Sequence, residues 1–176
     1  MRLFIAIELP KEVVEELKRL QAELDLFGLR PVKEFHLTLK FLGDVPDSKI
    51  DKLKEILSGI KFKPFEAELS EIGVFPEPSY IRVIWAGITG DQIFSLQKDI
   101  DIGLEQLGFG RDNKFKPHLT LERVNFIKDK NALAKRLKTL DVNKLRFKVA
   151  EFKLIQSTLT PKGPVYETQA VYKANL

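Results

Sequence analysis

The chain has 176 residues, of which 44% are hydrophobic and 31% charged, with a formal net charge of +4 at pH 7; this suits one domain, or two small fused lobes, with a substantial core. It contains no cysteine, which excludes disulfides and thiolate zinc sites. It shows neither a secretory signal nor an apolar stretch near the ~18 residues of a membrane span, so we expect a soluble, cytoplasmic protein whose modest positive charge permits an anionic partner without requiring one.

The first half of the chain is predicted to alternate strands and helices. Gly28 is expected to end the first helix, and the second helix can be capped by Asp47 or Ser48 and ended by Gly59. The turn-rich segment at residues 76–79 separates two later strands, and we take it as the hinge between two lobes. The predicted strands are Arg2–Glu8, about Phe35–Leu42, Phe65–Val74 and Tyr80–Gly87, and the two helices carry apolar residues at helical spacing, namely Val13, Leu17, Leu20 and Leu24 on the first and Ile50, Leu53, Ile56 and Leu57 on the second.

The second half repeats this order. A helix from about Asp91 is ended by Gly108, and the strand after it follows Pro117, a residue that is acceptable at the start of a strand. Each half therefore contains strand, helix, strand, helix and strand, which favours two similar lobes related by a pseudo-twofold axis. The remaining predicted ranges are His118–Val124 (strand), about Lys130–Leu140 (helix), Leu145–Thr158 (strand-rich), Pro161–Pro164 (turn) and Val165–Tyr172 (strand).

One tetrapeptide occurs twice, and it carries both histidines of the chain. His-Leu-Thr-Leu stands at His36–Leu39 and again at His118–Leu121, 118 − 36 = 82 positions later. Its alternation of polar and apolar residues is typical of a half-buried strand, in which residues i and i+2 share a face. Each histidine then shares a face with the threonine two residues on, while the leucines, and Phe41 after the first copy, pack into a core. Two imidazoles are the minimum for a reaction that needs a general base and a general acid.

These motifs and their flanks resemble a known superfamily. The chain is similar to the 2H phosphoesterases, and more closely to the RNA 2′,3′-cyclic phosphodiesterases, also called 2′-5′ RNA ligases. Two His-x-Thr motifs at this spacing and in these flanks are a specific signal, and the resemblance covers essentially the whole chain. The segments that carry it are Phe35–Gly43, Lys116–Arg123, Arg2–Ile7, Ser157–Leu159 and Gly163–Tyr166.

The resemblance implies a single bilobal α+β domain over residues 1–176, with antiparallel sheets facing a central cleft and helices outside. It also implies hydrolysis of RNA 2′,3′-cyclic phosphate ends to a 2′-phosphate, without metal or cofactor, and a possible reversible 2′-5′ ligation. The expected partner is RNA with a cyclic phosphate end, such as tRNA halves, and the expected state is a monomer with no membrane partner.

The resemblance also implies a role for each site residue. His118 would take a proton from water and His36 would give one to the leaving O3′, although the residues alone leave the swapped assignment open. Thr38 and Thr120 would donate hydrogen bonds to phosphate oxygens, and Arg123, five residues after the second histidine, would hold the phosphate.

Strict alternation conflicts with the role of Arg123, because it puts Glu122 on the face of His118. We therefore predict a bulge, or the end of the strand, near Leu121 that turns Arg123 toward the site. The same alternation puts Lys40 on the face of His36, where it could meet phosphate or be a solvated lysine. A zinc site is not expected, because no carboxylate stands at the matching position of both copies.

Other functions are compatible with the same residues. The chemistry could act on a cyclic nucleotide, an ADP-ribose cyclic phosphate or a 2′-5′ oligonucleotide, or the chain could be an RNA-binding module without catalysis. The segment Arg111–Lys130 has six basic and three acidic residues and could form a rim for an RNA backbone or only a solvated surface. Most of the thirteen phenylalanines are expected in the core, while Phe41 or Phe115 could stack a base.

Overall fold

The computed structural model describes residues 1–161 and 163–175, so Lys162 of the predicted turn lies outside it. The described residues form nine strands and four α-helices, with a 3₁₀ turn at Glu105–Leu107 after the third helix. Their bounds are β1 Arg2–Glu8, α1 Lys11–Glu23, β2 Leu29–Pro31, β3 His36–Asp44, α2 Asp47–Gly59, β4 Phe65–Glu77, β5 Tyr80–Thr89, α3 Asp91–Leu104, β6 His118–Val124, α4 Lys130–Thr139, β7 Arg146–Val149, β8 Glu151–Thr160 and β9 Gly163–Lys173.

The strands form two antiparallel sheets, which confirms the predicted α+β class. The first sheet has the order β3-β1-β8-β9 and the second the order β2-β6-β5-β4-β7. Each sheet contains strands from both halves of the chain. β4, from the first half, pairs with β5 in the second sheet, and β8, from the second half, pairs with β1 in the first sheet. The sheets are therefore not the two halves of the sequence.

The segment at residues 76–79 is a hairpin turn, and the prediction that it is a hinge between lobes is wrong. Glu77 pairs directly with Tyr80 across the two strands that this segment joins, and both strands lie in the second sheet. A two-residue connection between paired antiparallel strands belongs to one rigid hairpin.

Helices α1 and α3 pack against the two tetrapeptide strands. Helix α1 contacts β6 and helix α3 contacts β3, so each packs on the tetrapeptide strand of the other half. Leu17 and Leu20 of α1, and Ile100 and Leu104 of α3, are fully buried in one continuous core. The two strands are thus fixed relative to one another by the main core rather than by a flexible joint.

Helix α2 begins differently from the prediction. Pro46 is its N-cap residue, in an extended conformation, and no side chain caps the helix. Asp47 already lies in the first turn, where its carboxylate faces the positive end of the helix dipole. The prediction that Asp47 or Ser48 caps this helix is therefore wrong. None of the α-helices in residues 1–161 and 163–175 is long and apolar enough to cross a membrane.

Candidate active site

The two tetrapeptide strands have the same local structure. Over seven residues from each histidine, β3 and β6 show an identical order of buried, half-buried and exposed side chains. β3, the edge strand of the first sheet, contacts β6, which lies next to the short edge strand β2 in the second sheet. The repeated sequence is therefore also a repeated structure, and both copies meet at one place.

Each copy contains a β-bulge directly after its threonine. In β3, Thr38 and Lys40 face consecutive residues of β1, so Leu39 is left without a partner. In β6, Thr120 and Glu122 face consecutive residues of β5, so Leu121 is the extra residue. A bulge of this kind shifts the side chains that directly follow it to the other face of the sheet.

The second bulge brings Arg123 to the face of His118 and Thr120, which confirms the predicted bulge near Leu121. Arg123 is exposed, whereas Glu122 is turned into the core with only 2% of its surface exposed. The face that carries the imidazole thus gains a guanidinium and loses a carboxylate. That exchange favours an anion at this surface.

The first bulge overturns two predictions made from strict alternation. Lys40 does not share the face of His36; it is 7% exposed, forms an ion pair with Asp101 and donates to the Gly110 carbonyl at 2.6 Å. Phe41 does not pack into the core, because 75% of its surface is exposed. Phe41 therefore occupies on β3 the position that Arg123 occupies on β6.

His36 lies against aromatic rings. Its ring centroid is 4.8 Å from that of Phe4 and 5.1 Å from that of Tyr166, the latter edge to face. Phe4 and Tyr166 belong to a small apolar cluster with Ala6 and Ile155, separate from the main core. Burial in this environment lowers the pKa of His36 to about 4, because a charged imidazolium would lose its hydration there.

His118 also contacts aromatic rings, and a backbone carbonyl orients it. Its centroid is 4.9 Å from that of Phe75 and 6.1 Å from that of Trp85. Its Nδ1 is 2.7 Å from the carbonyl oxygen of Lys116, which can only accept, so Nδ1 carries the proton and the neutral ring keeps its lone pair on Nε2. Burial lowers the pKa of His118, and the nearby Lys116 ammonium lowers it further.

Tyr166 links the two copies. It packs on His36, and the positive charge of Arg123 is close enough to oppose the increase in Tyr166 pKa that burial and Glu34 produce. The positively charged end of β6 therefore faces the aromatic rings that surround the first histidine. Thr38 and Thr120, half-buried, lie on the same faces as their histidines.

The sequence reasoning missed the aromatic side chains of the site. Phe4 and Tyr166 lie in segments already quoted for the family resemblance, but residues far apart in sequence gave no sign that they meet at His36. Trp85, the one tryptophan, sits opposite Gly73 in the β4–β5 pair. A Cβ at Gly73 would lie 2.1 Å from the indole ring, so the glycine leaves the space that the ring fills.

A cavity of about 1040 Å³ opens next to His118 on the second sheet. Lys116 and Trp85 form its edge nearest the histidine, and α4 lines another side. Lys130, Lys138 and Lys144 add positive charge, which Glu68, Glu71 and Asp91 balance in part. Among the described residues, no group of three or more histidine or carboxylate side chains is placed to hold a metal ion.

Comparisons with known proteins agree with this arrangement. A family model described as LigT like phosphoesterase matches the chain twice, over residues 7–85 and 88–166. A Methanocaldococcus jannaschii protein named RNA 2′,3′-cyclic phosphodiesterase is 42% identical over 171 residues, which are 95% of this chain and 97% of that protein.

Two solved structures extend the likeness to the fold. One, from Thermus thermophilus, is 30% identical with a TM-score of 0.86 over 98% of this chain and 97% of that one. The other, Escherichia coli LigT complexed with 3′-AMP, is 25% identical with a TM-score of 0.81 over 99% and 98% of the two chains. The family model covers one tetrapeptide copy in each of its two matches, which parallels the repeated bulge.

Proposed function

This chain belongs to the LigT-like phosphoesterase family, and from that premise we propose that it is an RNA 2′,3′-cyclic phosphodiesterase. It would open the terminal cyclic phosphate of an RNA to a 2′-phosphate. Support comes from the relative that is named for this activity and from the LigT structure that is described as holding a ribonucleoside monophosphate. The unit that acts would be the single bilobal domain over residues 1–176.

The observation that carries this proposal is the repeated bulged strand. Two imidazoles, each with a hydroxyl on the same face, lie on adjoining strands of one chain, and the bulge adds Arg123 to that face. An RNA-binding module needs positive charge and aromatic surface but no pair of oriented imidazoles. Catalysis therefore accounts for more of the site than binding alone.

The hydrogen bond of His118 supports its role as the base. With the proton fixed on Nδ1, the lone pair on Nε2 is free to take a proton from water. The water oxygen then bonds to phosphorus as the bond from phosphorus to O3′ breaks, and His36, in its protonated form, gives its proton to O3′. The proton that His118 gained and the one that His36 lost are exchanged with solvent after product leaves.

Binding of substrate is what would charge His36. In the free protein its pKa of about 4 leaves the imidazole neutral at pH 7. A phosphate anion brought next to the ring favours the imidazolium and raises that pKa. Thr38 and Thr120 would donate to the non-bridging oxygens, and Arg123 would balance the negative charge that develops on them.

The exposed ring of Phe41 would stack on the base of the terminal nucleotide. It projects from the same face as His36 and lies 6.1 Å, centroid to centroid, from Phe4. Stacking on an exposed aromatic ring is tolerant of sequence, because every base has a flat apolar face. The proposed substrate is accordingly a class of RNA ends, such as tRNA halves, rather than one sequence.

We extend the proposal to a monomer that acts in the cytoplasm. One chain supplies both imidazoles, both threonines and the arginine, so the site needs no second copy. A joining step, in which the 5′-hydroxyl of another RNA replaces water, would use the same groups in the same proton roles and would make a 2′-5′ bond, and its reversal would exchange those roles.

The deciding experiment is incubation with an RNA that ends in a 2′,3′-cyclic phosphate, followed by identification of the product as a 2′- or a 3′-monophosphate. We expect the 2′-monophosphate, formed equally well in EDTA. A panel without the oligonucleotide, comprising cyclic nucleotides and ADP-ribose cyclic phosphate, tests the other substrate classes. A 3′-monophosphate, or no turnover of any of them, would contradict the proposal.

A further inference from the structure

The arginines on the β2–β6 ribbon form an unusual pair. Arg30, at the centre of the three-residue strand β2, is the direct partner of Arg123 in the antiparallel register. Side chains of directly opposed residues project from the same face, and like charges at that distance repel. Arg30 therefore points to the face that carries Arg123, His118 and Thr120, at a cost in electrostatic free energy.

No ion pair relieves this repulsion among residues 1–161 and 163–175. The arginine ion pairs in this part of the chain are made by Arg19, Arg111 and Arg146. Arg30 and Arg123 take part in none of them, and both are exposed. Two guanidinium groups on directly opposed residues, neither of them in an ion pair, form a surface that an external anion would stabilise.

The backbone that carries Arg30 is held on both sides. The amide of Val32 donates to the carbonyl of Leu121 at 3.0 Å, and Gln21 Nε2 donates to the carbonyls of Val32 and Leu121 at 3.0 and 2.8 Å. Beyond the other end of β2, the amide of Asn125 donates to the carbonyl of Gly28 at 3.0 Å. Such an anchored strand fixes the backbone position from which the Arg30 side chain starts before any ligand arrives, which lowers the entropy cost of binding.

We propose that Arg30 forms a second phosphate subsite, which binds the phosphodiester that precedes the terminal cyclic phosphate of an RNA substrate. This inference rests on the proposed function, in which Arg123 takes the terminal phosphate. Directly opposed Cα atoms are ~4.5–5.5 Å apart, and long arginine side chains can spread from there to reach neighbouring phosphates of one strand. Arg30 then distinguishes an RNA end from a mononucleotide, which has no second phosphate.

Two substrates distinguish a role of Arg30 in binding the second phosphate from a general role in catalysis. A nucleoside 2′,3′-cyclic phosphate has only the terminal phosphate, and a dinucleotide that ends in the same group adds one phosphodiester. We expect Arg30→Gln to lower kcat/KM for the dinucleotide by roughly 10-fold or more, the size of a lost charge-assisted hydrogen bond. Its kcat/KM for the mononucleoside should change by less than about threefold, because that substrate leaves Arg30 unoccupied.

Arg146→Gln is the matched control. Arg146 lies on β7, at the opposite edge of the same sheet, is exposed, and its loss removes the same charge. We expect it to leave the ratio of the two kcat/KM values unchanged. A fall of that ratio in both variants would assign the effect to net charge and overturn the subsite.

A dinucleotide whose internal linkage is an uncharged methylphosphonate completes the test. For the wild type, kcat/KM should be lower on this substrate than on the charged dinucleotide, by about the factor that Arg30→Gln causes on the charged dinucleotide. For the Arg30→Gln variant, kcat/KM should be the same on both dinucleotides. Equal losses in wild type and variant would overturn the proposal while leaving the catalytic site intact. Failure of the wild type to turn over either the dinucleotide or the mononucleoside would instead contradict the proposed function and remove the subsite with it.

Discussion

Lys40 and Glu122 occupy the same position in the two copies, four residues after each histidine, and they are buried with unequal partners. Lys40 forms its ion pair with Asp101 of α3 and also donates to a backbone carbonyl. Glu122 has one carboxylate oxygen, Oε2, without a hydrogen bond, and burial together with the charge of Asp25 raises its pKa to about 7. The repeated bulge thus placed a satisfied cation in one copy and an unsatisfied acid in the other.

Glu122→Gln should reduce the pH dependence of stability. The pKa of Glu122 in the folded protein lies above that of an unfolded glutamate, ~4.3. Its contribution to the free energy of unfolding is therefore fully present below pH ~4 and is lost as pH rises through about 7. We expect the wild type to lose about 1–3 kcal/mol from this group between pH 4.5 and 8, as judged from shifts of this kind. Denaturant unfolding at several pH values measures it.

The exposed Glu12, in the first turn of α1, supplies the control for this experiment. Glu12→Gln should show the pH profile of the wild type, because an exposed side chain is hydrated in both the folded and the unfolded chain. If Glu122→Gln and the wild type lost stability in parallel as pH rises, the raised pKa of Glu122 would not be a property of the folded protein.

Much of the site followed from the sequence because strand periodicity and motif repetition are local signals. The bulge near Leu121 was predicted, because the arginine implied by the family could reach phosphate only if alternation failed there. The first copy has phenylalanine at the position of that arginine, so nothing in its sequence reveals the same conflict. Lys40 and Phe41 were therefore assigned to the wrong faces, although both bulges begin one residue after a threonine.

The rest depended on contacts between distant segments. β4 joins the second sheet and β8 joins the first because of the strand edges that are still unpaired once the core has formed. The hydrophobic periodicity of a segment does not encode this choice. For the same reason, the meeting of Tyr166 with His36, and of Arg30 with Arg123, could not be predicted. Strand β2 itself, with three residues, is too short to give a pattern.

The two histidines should titrate below the ordinary imidazole range in the free protein. Burial lowers both pKa values, that of His36 to about 4, so both rings are neutral at pH 7. We expect inorganic phosphate to raise them, because a nearby anion stabilises the imidazolium. Proton NMR of the two imidazole resonances, assigned by His36→Ala and His118→Ala, measures both effects. Values at or above ~6.5, the ordinary imidazole pKa, without phosphate would contradict the proposed environment.

Removing either imidazole should lower the rate of cyclic phosphate hydrolysis by roughly 10²–10⁴-fold. The roles of the two become distinguishable with a substrate in which sulfur replaces O3′, since a thiolate, with a pKa near ~8.5, leaves without needing a proton. That substrate should restore much of the activity of His36→Ala and little of that of His118→Ala. Restoration of His118→Ala instead would show that the acid and base assignments are reversed.

Gly73→Ala should disturb His118 through Trp85. The added Cβ would lie 2.1 Å from the indole, so the indole, whose centroid is 5.0 Å from that of Phe75 and 6.1 Å from that of His118, must move. We expect a loss of about 1–3 kcal/mol in the free energy of unfolding, as for overpacked sites, together with a fall in hydrolysis rate. The chain has one tryptophan, so a shift in its fluorescence emission reports the displacement directly.

Gly59→Ala is the matched control for this substitution. Gly59 ends α2, and a Cβ there would meet nothing within 4 Å, so alanine should be neutral or slightly stabilising. Fluorescence and hydrolysis should both remain as in the wild type. If Gly73→Ala also left emission, stability and rate unchanged, the indole could not occupy the space above Gly73, and the proposed effect on His118 would be contradicted.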